Sequence, residues 1–127
     1  LKSEVSAENL LNDLNEIGKA VLYFNFKRRD CKLTCDCKDI IKMIAEALRK
    51  DPTMGISIDS YTDNIGPREE NLQLSRNRAE TIYNALVSEG IDKQRMVING
   101  YGESKPIADN SNVIGRAFNN RVELVKK

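Results

Sequence analysis

Residues 56–88 read ISIDSYTDNIGPREENLQLSRNRAETIYNALVS, one run that passes from a strand pattern to a helix pattern. Its opening alternates. Ile56 and Ile58, with Met54 before them, point one way, while Ser57, Asp59 and Tyr61 point the other, which predicts a strand over about 55–62. Asp63-Asn64-Ile65-Gly66 supplies turn chemistry, and Pro67 suits the first position of a helix. The remainder predicts a long helix to about residue 88, with Gly90 as its C-terminal stop. A strand that turns directly into a helix is one step of an alternating α/β architecture.

The flanking sequence continues the alternation. On the N-terminal side, residues 6–17 predict a short amphipathic helix: Ser6 caps it, Leu10, Leu11, Leu14 and Ile17 form its stripe, and Gly18 ends it. The apolar run AVLYFNF over 20–26 predicts a strand. A second helix is expected over 36–50, with Cys37, Ile40, Ile41, Ile44 and Leu48 on one stripe and Asp51-Pro52 as its stop. On the C-terminal side a strand is expected over 96–101, then a Gly-, Pro- and Asn-rich loop. A turn of helix over 113–118 and a last strand over 121–125 complete the chain. The order predicts an α/β (α+β) two-layer sandwich, β-α-β-α-β-β, with a partly parallel sheet and a short N-terminal helix. Its final two strands either pair antiparallel or sit apart.

Composition narrows the function. The 127 residues are enough for one domain. Lys and Arg total 20 against 19 for Asp and Glu, so the net charge is only +1 and no nucleic-acid partner is expected. No apolar run approaches the roughly 20 residues that cross a bilayer, so contact with a membrane is expected only through parts of a longer protein. The start at Leu1, without Met, reads as an excised piece, with residues 1–19 as a linker helix and 20–127 as the domain proper. The chain contains no histidine, which excludes a Ser-His-Asp triad. Three clustered cysteines, Cys31, Cys35 and Cys37, are too few for a zinc site without another donor type. A Cys31–Cys35 bridge fits an oxidising compartment. No enzymatic activity, metal or cofactor is expected.

The long helix carries the informative exception. Leu72, Leu74, Ala79, Ile82, Tyr83, Ala85 and Leu86 make a broad apolar face, opposite Glu70, Gln73, Arg76, Asn77, Glu80 and Asn84. Asn71 and Arg78 fall inside the apolar sector. A buried guanidinium costs several kcal/mol unless it is paired, and the local anion is Asp63, at the carboxyl end of the strand, where open α/β sheets bind ligands. Three readings follow. The two charges form an internal salt bridge. Alternatively, Asp63 shapes the turn while Arg78 snorkels to water. In the third reading they are spaced to receive a zwitterion. Spacing alone does not separate them.

Four motifs bear on the choice: Ser60-Tyr61-Thr62-Asp63-Asn64-Ile65-Gly66, residues 71–79 (NLQLSRNRA), Gly100-Tyr101-Gly102-Glu103-Ser104-Lys105-Pro106, and residues 110–123 (NSNVIGRAFNNRVE). In this order and spacing the stretch 56–125 resembles the C-terminal domain of outer-membrane protein A. That family also takes in peptidoglycan-associated lipoproteins and flagellar-motor stator proteins. The resemblance implies binding of the diaminopimelate-containing stem peptide of peptidoglycan. Asp63 would meet its ammonium and Arg78 its carboxylate in a bidentate contact that Lys could not reproduce. Asn71, Thr62, Ile65, Asn120, Arg121 and Asn25 would surround the same pocket. By the same resemblance the chain would anchor an outer-membrane protein or lipoprotein to the wall, on the periplasmic face of the outer membrane of a Gram-negative bacterium. A homodimer is compatible with this. The chain departs from the family pattern in having Asn120 for a pocket arginine, Ser60 for a glycine and Asn25 for an aspartate, followed by Lys27-Arg28-Arg29. Asn120 and the altered first loop motivate the alternative of an interaction or oligomerisation module that has kept the fold without the wall ligand.

Overall fold

The computed structural model describes residues 6–24, 26, 33 and 35–127, with the backbone alone at 35 and 36. Asn25, the Lys27-Arg28-Arg29 run and the proposed Cys31–Cys35 bridge lie outside the described residues. The elements are α1 (Ala7–Glu16), β1 (Lys19–Leu22), α2 (Cys35–Lys50), β2 (Ile56–Tyr61), α3 (Arg68–Ser88), β3 (Met96–Gly102), α4 (Val113–Asn119) and β4 (Val122–Lys126). A 3-10 turn, Lys93–Arg95, precedes β3. The strands form one mixed sheet in the order β1-β4-β2-β3. β4 lies antiparallel between β1 and β2, while β2 and β3 run parallel across the α3 crossover. The last two strands therefore sit apart, the second of the two arrangements the sequence left open.

Side-chain alternation builds the two layers. Ala20, Leu22, Ile56, Ile58, Val122 and Leu124 face the helices and are at most 7% exposed. They pack against Leu10, Leu14, Cys37, Ile41, Ile44, Leu48, Ala79, Ile82 and Leu86 in a single core. α1 belongs to this core through Ala7, Leu10 and Leu14, whereas Ile17, at its end, is exposed. On the other sheet face Asp59 stands directly opposite Glu123. Like charges so placed repel. Asn99 Nδ2 donates to Asp59 at 3.0 Å, and Arg121 Nε donates to Glu123 at 2.8 Å, which offsets the repulsion.

Two boundaries and one side-chain placement differ for physical reasons. β1 ends at Leu22, not near residue 26, because Leu22 pairs with Val122, the first residue of β4, and the ladder has no further partner there. Pro67 is the N-cap of α3, outside its first turn. Leu72, expected on the apolar face, is 47% exposed, while Asn71, Ser75 and Arg78 are buried. The cause is the approach of α3 to β3. A Cβ on Gly100 would lie 2.5 Å from the Arg76 backbone nitrogen, and one on Gly102 would lie 3.0 Å from the Leu72 Cα. Backbone fills the space that large apolar side chains would need.

Candidate functional site

At the carboxyl ends of β1 and β2 the chain leaves a cleft of about 650 Å³. Its walls come from the continuation of β1 (Tyr23, Phe24, Phe26), the end of β2 and its turn (Ser60, Tyr61, Thr62, Asp63, Ile65), α3 (Leu74, Arg78), and α4 with the segment after it. The aromatic run that outlasts β1 therefore serves the cleft.

Asp63 is fixed by its own turn and by a distant residue. Its Oδ1 accepts the Ile65 N–H at 3.0 Å and its Oδ2 accepts the Asn120 side-chain amide at 2.8 Å. Its N–H donates to Asn120 Oδ1 at 3.1 Å. Thr62 Oγ1 donates to the Asp63 carbonyl at 2.8 Å, which tightens the same corner. Two acceptor positions of the carboxylate are used, and an ionised carboxylate has about four. Arg78 is 8% exposed, with its guanidinium carbon 4.8 Å from the centre of the Phe26 ring. Both charges line the cleft, and Asp63–Arg78 is not among the ion pairs of the described residues. The internal salt bridge is therefore excluded. The second reading holds for half the pair: Asp63 does shape the turn, but Arg78 stays in the cleft and does not snorkel to water.

The remaining expected residues divide. Thr62, Ile65, Asn120 and Arg121 line the cleft. Arg121 is 3% exposed and committed to the scaffold: its Nε donates to Glu123 at 2.8 Å, its Nη2 donates to the Lys105 carbonyl at 3.0 Å, and its carbon lies 3.9 Å from the Tyr61 ring centre. Asn71 stands apart from these. It is fully buried and does not line the cleft. Its Nδ2 donates to Glu103 at 3.0 Å and more weakly to the Asp63 and Gly66 carbonyls, bracing the turn from behind. Asn25 is outside the described residues. Sequence reasoning missed Arg116, which lines the cleft with Nη1 donating to the Asn110 carbonyl at 3.0 Å. Its position beside Gly115, in the 110–123 motif, was the available signal. Burial and the nearby charges of Glu123 and Asp59 push the Tyr61 phenol up to about 12, so it remains a neutral hydroxyl at ordinary pH.

The fold and cleft define a class: a mixed-sheet α+β domain with a ligand-sized cleft at the strand ends that carries opposed, separately held charges. The profile of the OmpA family matches residues 25–120, and the chain belongs to that family. The chain is 40% identical over 83 residues to outer membrane porin F of Pseudomonas fluorescens, covering 65% of this chain and 26% of the porin. It is 37% identical over 87 residues to the peptidoglycan-binding protein ArfA of Mycobacterium tuberculosis, covering 68% and 27%. It thus spans about a quarter of either relative. Among solved structures, the peptidoglycan-associated lipoprotein from Burkholderia pseudomallei superposes with a TM-score of 0.77 at 30% identity, covering 92% of this chain and 98% of that one.

Proposed function

We propose that this domain binds peptidoglycan non-covalently and holds a larger envelope protein to the cell wall, on the periplasmic face of the outer membrane. The guest is the zwitterionic headgroup of the stem peptide, diaminopimelate, with its ammonium on Asp63 and its carboxylate on Arg78. The observation that carries this reading is the pair itself: opposite charges sharing one cleft without pairing to each other. Support also comes from relatives named for peptidoglycan, one of which superposes over nearly its whole length. The domain so read is a non-catalytic anchor, with α1 as its docked lead-in.

A second reading is favoured by one contact. Asn120 already donates to the Asp63 carboxylate. In that reading the domain is an interaction or oligomerisation module, and pairing would use the sheet edges, where Val21 and Val97 are 38% and 41% exposed. Co-sedimentation with purified sacculi separates the two. Pelleting of the folded domain, competed by free stem peptide, supports the wall reading. A folded domain that stays in the supernatant supports the module.

A further inference from the structure

Ser60 is 1% exposed and lines the cleft, and its Oγ is a buried side-chain oxygen with no hydrogen-bond partner among the described residues. Two other buried hydroxyls nearby are engaged. Thr62 Oγ1 donates to the Asp63 carbonyl at 2.8 Å, and Ser75 Oγ donates to the Leu72 carbonyl at 2.8 Å while accepting the Gly102 N–H at 2.9 Å. Folded proteins bond nearly all their buried polar atoms, and an orphan usually marks a position that something else completes. Alanine would fill the site without that cost.

The place of Ser60 in the sheet indicates what completes it. It alternates with Ile56 and Ile58, both fully buried, so it stands on the helix-covered face, the side from which α3 presents Arg78. Asp59 and its polar partners occupy the opposite face. In a cleft that a guanidinium lines, the complementary guest group is an anion, and a hydroxyl on the same wall serves as a donor to it.

We propose that the Ser60 hydroxyl determines specificity in this cleft by donating a hydrogen bond to the guest carboxylate that Arg78 engages. This rests on the wall-binding reading above and adds to it a contact from a residue at which the chain departs from its family's glycine. The design trades stability of the empty domain for affinity, which gives it a signature that a structural serine lacks.

The test is calorimetry with a diaminopimelate-containing stem tripeptide on the parent, Ser60→Ala and Ser60→Cys, together with thermal unfolding of each without ligand. Affinity is expected to fall about tenfold in both variants, or about 1.4 kcal/mol, while the unliganded Ser60→Ala melts at the same temperature or a few degrees higher. Cysteine keeps most of the volume and carries the test should alanine disturb the fold. Unchanged affinity in a parent that binds overturns the role of Ser60 alone, and would mean that the hydroxyl merely holds a buried water. A joint loss of affinity and stability also overturns it, as the mark of a packing residue. A parent that does not bind the tripeptide overturns both this proposal and the reading beneath it.

Discussion

Asn119 shows how one side chain can hold a long loop in place. Fully buried, it accepts the N–H groups of Ile107 and Ala108 at 2.7 and 3.0 Å and donates to the Ala108 carbonyl and Asn110 Oδ1 at 2.9 and 2.7 Å. The loop beneath α4 is thus bonded as if to another strand. Asn119→Asp keeps the shape but removes both donors and buries a charge, so it should cost about 2–4 kcal/mol of stability, measured by urea unfolding. Tyr61 predicts a pH effect. Its folded pKa of about 12 exceeds the ordinary 10.0, so the neutral phenol is favoured in the folded state. That contribution is fully present below about pH 10 and is lost as pH rises through about 12. Tyr61→Phe should flatten this alkaline decline, and ultraviolet titration should lose the phenol component that ionises near pH 12. Little of this residue-level detail is legible in sequence. Asn119, Asn120 and Asn71 are chemically alike, and only their partners in space divide scaffold from cleft wall.

Among the elements, α3 is the piece that both builds and aims the site. Its C-terminus closes by a Schellman arrangement: the Ile91 N–H reaches the Leu86 carbonyl at 3.1 Å and the Gly90 N–H reaches Val87 at 2.9 Å, with Gly90 at φ 94°. Its N-terminal half lies backbone-close on β3. Gly100→Ala would set a methyl 2.5 Å from the Arg76 nitrogen, which has no flexible end to yield. The helix must lift, and Arg78 lifts with it. A loss of about 1–3 kcal/mol or more is expected, read as a lowered urea midpoint together with weakened ligand binding. In the sequence, periodicity marked this helix and its inward Arg78, and Gly90 marked its stop. The sequence mis-set Leu72, because a helical projection assumes that side chains make the contact, and here the backbone does. It overextended β1 for a related reason: Tyr23, Phe24 and Phe26 are apolar in order to line a cleft, yet a run of apolar residues reads as strand.

At the scale of the whole molecule, the layer architecture followed from the alternation of strands and helices. The seat of β4 did not, since nothing in residues 122–126 specifies insertion between β1 and β2. That insertion matters, because it brings Asn120 and Arg121 up to the turn at Asp63 and closes one side of the cleft. In the sequence a cation in an apolar stripe singled out Arg78, and Asp63 entered as the local anion. Asp63 and Arg78 are proposed to grip an external zwitterion between them. Calorimetry of a diaminopimelate-containing stem fragment against the parent and Arg78→Ala tests it most directly. Measurable binding to the parent is expected, with a loss of about 2–5 kcal/mol in an Arg78→Ala variant that remains folded. Equal affinity in the two proteins contradicts it.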